Sequence, residues 1–296
     1  MTVDAADRRE RVAGLMSGLR LLTVRPALIL GLAFLLVPLL VAAVERHRLG
    51  AGVIELGAYQ FNLRPSDEHV LGTDGYGRDV LGMLSFGLWP TLQVGLVAGV
   101  TASAIGTFLG LLSGYARGWI DWTVRGLADV LLGIPVLPIL VVVAAFLGSV
   151  SVSSLGVVIG LVAWPFTTRV IRAQVLSLRD APYIEMARLS GARRSGILVF
   201  ELLPNLLPYV MAGFVGAVSG AILASVGLQI LGLGSFGLPT LGLMLDAAYQ
   251  GGALSRGLWW WFVPPAALLV LIFVGLFLIS LAVDEFANPR LRKRAT

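Results

Sequence analysis

The chain has 296 residues, 57% hydrophobic and 13% charged, with a mean hydropathy of +0.88. Soluble domains carry about 45–50% apolar and about 25% charged residues, so a water-soluble core cannot hide this much apolar surface, and the same numbers exclude disorder. The absence of Cys, the two His (His47 and His69) and the single Lys, Lys293, exclude thiol chemistry, multi-His metal sites and a Walker-type phosphate loop, so any ATP that drives this protein binds to another subunit.

A spanning helix needs roughly 20 predominantly apolar residues. Six stretches qualify, at about 26–44, 89–115, 126–147, 152–168, 206–230 and 259–283. The first follows a polar leader and reads as an uncleaved anchor rather than a signal peptide. The second is rich in small residues, the third contains Asp129, Pro135 and Pro138, and the fourth is short and rich in Ser and Gly. Trp259, Trp260 and Trp261 stand where the sixth should meet the outer interface, a level that Trp favours.

The net charge of +5 is not spread for nucleic acid, because the basic residues lie in short segments between apolar runs. One side of the six spans collects Arg8, Arg9, Arg11, Arg20 and Arg25 at the N-terminus, Arg117 and Arg125, six arginines over 169–204, and Arg290, Arg292, Lys293 and Arg294. The other side holds Arg46, Arg48, Arg64, Arg78 and Arg256, a split of 17 to 5. Positive residues stay cytoplasmic, which puts both termini inside.

Two connections are large. Residues 45–88 lie outside and hold six acidic residues. Within them Leu71, Gly72, Thr73, Asp74, Gly77, Arg78 and Asp79 read as a tight Asp/Gly turn that positions the external loop or meets a partner, in preference to a metal or phosphate site. The second span carries two rows of small residues at i, i+4 spacing, Ala102, Gly106, Gly110 and Gly114 beside Gly95, Gly99, Ser103 and Thr107. Such rows let helices approach closely, and static packing explains them better than a pore seam.

Charge inside a span is functional by default, but Arg125 sits four residues before Asp129 and offers it a local ion pair. Asp246 and Arg256 stand before the sixth span as candidate vestibule residues. Gly232-Leu233-Gly234-Ser235-Phe236-Gly237 has the spacing of a dinucleotide loop, but it follows a membrane span rather than a strand and reads as a turn or re-entrant segment.

The cytoplasmic loop at about 169–204 is the informative one. Residues 184–189 are good helix formers and Gly191 suits a C-terminal stop, giving a short amphipathic helix able to lie on lipid or dock into a partner's groove. Pro204 is expected to bend the entry to the fifth span. Glu185-Met186-Ala187, Gly191 and Leu203-Pro204 resemble, at matching spacing, the cytoplasmic loop of ABC-importer permease subunits, with Met186 and Glu201 as departures from the usual Ala and Ile.

His69-Val70-Leu71-Gly72-Thr73-Asp74 through Arg78-Asp79, the run Arg172–Arg179 and the tail Asn288-Pro289-Arg290-Leu291-Arg292 are similar to the dipeptide/oligopeptide/nickel permease C-type group. The resemblance implies an all-α, six-helix membrane protein with the type I ABC importer permease fold. It divides the chain into residues 1–88 (leader, first span, external loop) and a five-helix core at 89–296. It implies ATPase coupling through Tyr183, Glu185, Met186, Ala187, Arg188 and Gly191, with no catalytic residue, no metal and no cofactor in this chain. ATP and Mg would sit on two partner ATPase subunits or domains. The further expected partners are a second homologous permease, an extracytoplasmic substrate-binding protein and membrane lipid. Short peptides, nickel complexes or other small solutes are the implied cargo. A stand-alone secondary transporter or channel is the alternative, and it would need ionisable residues along a path that these spans almost lack.

Overall fold

The computed structural model describes residues 26–116, 118–147, 151–233 and 237–287. The arginines of the N-terminal leader, Arg117, Gly234, Ser235, Phe236 and the tail from Asn288, including Lys293 and Arg294, lie outside the described residues. Helices in chain order are α1 (Pro26–Leu49), α2 (Val80–Ala116), α3 (Gly118–Gly133), α4 (Val136–Leu147), α5 (Val152–Leu178), α6 (Pro182–Leu189), α7 (Arg194–Ile230), α8 (Leu241–Gln250) and α9 (Trp259–Ala287). No strand forms among the described residues, where one isolated bridge pairs Thr73 with Asp79.

Among the described residues five helices, α1, α2, α5, α7 and α9, are long and apolar enough to cross a bilayer singly. The sixth candidate span, expected at about 126–147, is broken. It is the pair α3 and α4, bent by 88° across Ile134 and Pro135. Proline lacks the N–H that would continue the ladder and pushes its predecessor out of helical geometry, so the break falls where the chemistry puts it. Pro138 then lies in the first turn of α4, where proline is tolerated.

Other boundaries moved outward. α2 begins at Val80 rather than 89 because Asp79 caps it, its Oδ1 accepting from the Gly82 N–H at 2.7 Å. The division at 88/89 therefore falls inside one continuous helix. α5 runs ten residues past 168 to Leu178. That extension corrects the Asp129 pairing: its partner is Arg169 on α5, at 2.6 Å, and not Arg125. Asp121 likewise takes the Arg172 guanidinium through a second hydrogen bond of 2.8 Å from Nη2. At the entry to the fifth span a π-helical turn at Ile197–Leu202 leads into α-helix from Leu203, so Pro204 falls in a first turn, where its missing N–H is tolerated.

The small-residue rows of α2 are filled on both faces. A Cβ on Gly106, Gly110 or Gly114 would lie 2.5–2.8 Å from the side chains of Thr167, Ile171 or Val175, so α5 runs parallel to α2 in close contact. A Cβ on Gly95 or Gly99 would strike Ile222 or Val218 of the antiparallel α7. The static-packing reading fits this geometry. Around this seam Leu88, Leu92, Val218 and Ile222 build one apolar core, and Val94, Ala98, Leu155 and Ile159 another. α1 closes the outside of the bundle, meeting α9 where Gly31 abuts Gly275.

The three tryptophans at the start of α9 differ in their surroundings. Trp259 is 52% exposed, but Trp260 and Trp261 are 6% and 2% exposed. The external loop folds over the start of α9 and supplies what a buried indole needs. Trp260 Nε1 donates to the Thr73 carbonyl at 3.3 Å, and the Trp261 ring meets Tyr76 edge-on with centroids 6.0 Å apart.

Candidate functional site

The cytoplasmic segment is built by three local signals. Pro182 opens α6 at its first turn, where its missing N–H costs nothing. At the other end Gly191 adopts φ +78°, which L side chains rarely take. There Ala192 N–H reaches the Ala187 carbonyl at 3.0 Å and Gly191 N–H reaches Arg188 at 3.0 Å, the paired bonds of a Schellman cap. The expected stop at Gly191 is present.

An apolar contact seats α6 on the bundle. Ile184 is fully buried among Ile171 and Val175 of α5 and Ile197, Leu202 and Leu206 of α7, with Ala187 packed at the margin. The opposite face is open, with Met186 64% and Leu189 78% exposed, and Glu185 exposed beside them. Tyr183 lies at the edge, where burial raises its phenol above the ordinary value and the Glu201 carboxylate adds to the shift.

Arg188 ties the helix to two neighbours. Its Nη2 donates to the Arg179 carbonyl at 3.0 Å, and its guanidinium lies 5.4 Å from the Tyr115 ring centroid. Arg179 in turn donates from Nη1 to the Gly114 carbonyl at 2.8 Å. Thus Tyr183, Glu185, Met186, Ala187, Arg188 and Gly191 fall on one short helix and its cap, braced by the ends of α2 and α5. Sequence reasoning passes over Tyr115, whose only signal is that an apolar run ends there, and meets Arg179 only as the end of the Arg172–Arg179 run, without its role as a brace.

The external turn is a closed structural unit. Asp74 Oδ1 accepts from the Tyr76 and Arg78 N–H groups at 2.8 and 2.9 Å, and its Oδ2 accepts from Arg78 Nε at 2.7 Å. Asp79 caps α2 with one oxygen and stands 2.8 Å from His69 Nδ1 with the other. Thr73 Oγ1 accepts from Leu63 N–H and donates to the Gln60 carbonyl. Gly72 and Gly77 have φ +69° and +71°, and a Cβ on either would lie 2.4 Å from a carbonyl oxygen. Leu71 packs against the apolar core. The carboxylates are spent on the turn, and no group of three potential metal ligands forms among the described residues.

Beside this turn an external cleft of about 400 Å³ is lined by Tyr76, Arg78, Met83, Leu243 and Asp246 among others. Arg256 is not on it and instead donates toward the Gly251 carbonyl, so the two candidate vestibule residues are not brought together.

Known proteins place this architecture. The family of binding-protein-dependent transport system inner membrane components matches residues 106–293. The dipeptide transport system permease protein DppC of Alkalihalophilus pseudofirmus is 30% identical over 77% of this chain and 74% of that one. The glutathione transport system permease protein GsiD of Pectobacterium atrosepticum is 33% identical over 64% of this chain and 63% of that one. In three dimensions the chain is similar in fold to a chain of the inward-facing MetNI methionine ABC transporter, with a TM-score of 0.56, 24% identity, and coverage of 69% of this chain and 94% of that one. With the matched region covering well over half of it and a relative 30% identical over 77% of it, the chain belongs to the family of binding-protein-dependent transport system inner membrane components and is a permease subunit of an ABC importer.

Proposed function

We propose that this subunit forms half of a translocation path for short peptides, that an extracytoplasmic binding protein delivers them, and that α6 is the helix through which ATPase subunits drive the spans. The peptide assignment is supported by the relatives, one named for dipeptides and one for glutathione. A second homologous permease would complete the path, and ATP with Mg would be held by the ATPases.

The observation that carries the coupling reading is the two-sided character of α6. Ile184 is fully buried between the ends of α5 and α7, while Met186 and Leu189 stand out on a helix only eight residues long. An apolar face held rigidly away from the bundle suits insertion into a partner's groove. A push on α6 would pass through Ile184 to both spans, because a packed core transmits displacement with little compression. The external turn and its cleft would meet the binding protein.

The test is Leu189→Glu in the reconstituted importer. The subunit should insert and assemble with its partner permease, while ATP-driven uptake of a dipeptide is lost and the ATPases fall away on purification. Normal uptake by this variant would refute the assignment of α6.

A further inference from the structure

At the inner end of the bundle, Arg179, Arg188 and Arg194 converge on a cleft of about 390 Å³ with one acidic side chain, Asp180, among its lining residues. Tyr115 and Ala116, the end of α2, form its apolar wall. Three separate elements supply the arginines: the cap of α5, the last turn of α6 and the start of α7. Arg194 has no counter-ion among the described residues, Arg188 gives one N–H to a carbonyl and its face to a ring, and Arg179 gives Nη1 to the Gly114 carbonyl and Nε to Asp180 at 3.4 Å. A guanidinium has five N–H donors, so much of this donor set remains unused. A concave, polar space with an excess of two positive charges calls for an anion with several oxygens.

The level of the cleft identifies the source of that anion. Directly after it in the chain, Trp119 and Trp122 are 76% and 70% exposed on α3. Tryptophans exposed at the end of an apolar span sit at the headgroup level of a bilayer. Asp121 between them is turned inward to Arg172, which leaves both indoles facing outward. The cleft therefore opens at the height of lipid phosphates rather than in the cytosol.

We infer that this cleft binds the phosphodiester headgroup of an anionic phospholipid of the inner leaflet, clamped by Arg179, Arg188 and Arg194. Basic pockets between spans on the cytoplasmic side are suited to such headgroups. The bound lipid braces α6 against α2, α5 and α7. That consequence for transport rests on the coupling assignment of α6, whereas the lipid site itself stands on the cleft.

The experiment uses the intact importer in nanodiscs of phosphatidylcholine with and without phosphatidylglycerol, followed by native mass spectrometry of the lipid retained. Wild type should keep phosphatidylglycerol selectively. The Arg179→Gln/Arg194→Gln variant should lose about thirtyfold in that retention, at about fivefold per charge. Arg193→Gln, one residue from Arg194 and off the cleft, should not change it. Equal retention by the double variant, or equal retention of phosphatidylcholine, overturns the site. Displacement of the lipid by millimolar inorganic phosphate reassigns the anion to a free one and also overturns it. Loss of the ATPases by the double variant with lipid retained would give the cleft to a protein carboxylate, which overturns the lipid site as well. Leu189→Glu separates the two readings: it should abolish coupling and leave lipid retention intact.

Discussion

Two helices of this bundle carry glycines at four-residue spacing, and the glycines serve opposite ends. On α2, Gly106, Gly110 and Gly114 each stand where a methyl group would lie within 3 Å of an α5 side chain. On α7, Gly216 and Gly220 have nothing within 4 Å of where that methyl would go. They line an apolar cavity of about 570 Å³ beneath the bend between α3 and α4, with Ala217, Ala221 and Phe166. The same residue type at the same spacing thus marks a sealed seam in one helix and open space in the other. Spacing reports that a face is small; only the neighbours decide whether it is filled.

Substitutions that add volume should split the two regions, and by sign as well as size. Gly110→Leu should be the most damaging, because the new side chain has no route past Ile171 and the Thr168 carbonyl, 2.8 and 3.0 Å from its Cβ. Overpacking of this kind costs about 1–3 kcal/mol, and a lower melting temperature of the detergent-solubilised subunit would register it. Gly216→Ala and Gly220→Ala should act the other way. Each removes a helical glycine without a clash and should stabilise by about 0.5–1 kcal/mol in the same melt. A destabilised double alanine variant would show that the open space is already occupied by a neighbour, and the contrast between the helices would collapse.

The ion pairs that hold α3 to α5 supply a smaller, graded check. Asp121 and Arg172 are about one-fifth exposed, at 22% and 21%, and share two hydrogen bonds. Asp129 and Arg169 are 53% and 60% exposed and share one. Exposed pairs contribute about 0.2–1 kcal/mol, so Asp129→Asn should sit at or below the low end of that range, and Asp121→Asn should cost more. Equal losses would mean that α3 is held by something other than these two bridges.

Much of this architecture is legible in the sequence. Long apolar runs flanked by arginines locate five spans, and the Gly191 cap follows from the residue's freedom to take a positive φ. What escapes has non-local causes. The outward extension of α2 needs Asp79 to act as a cap rather than as a loop carboxylate. Trp260 and Trp261 resemble membrane anchors because their sequence neighbours are apolar, yet a carbonyl from residue 73 satisfies one indole N–H. Arg125, four residues away, is the obvious local match for Asp129, because the apolar run that precedes Arg169 ends one residue short of it. Pro135 is visible, but nothing local distinguishes a proline kink from a break of 88°. At the coupling segment the exposed residues can be read from the spacing. The bracing residues Tyr115 and Arg179 lie on other elements and need the fold.

The length of α2 has a mechanical consequence. Its 37 residues extend about 55 Å at 1.5 Å per residue, nearly twice the thickness of a hydrocarbon core of about 30 Å. One end is fastened to the external turn through Asp79, and the other lies against the arginines that hold α6. It is a single beam with its ends in two compartments. A tilt of about 10° about one end would carry the other through about 10 Å, so a small movement outside becomes a large one inside without any new contact being made along the way.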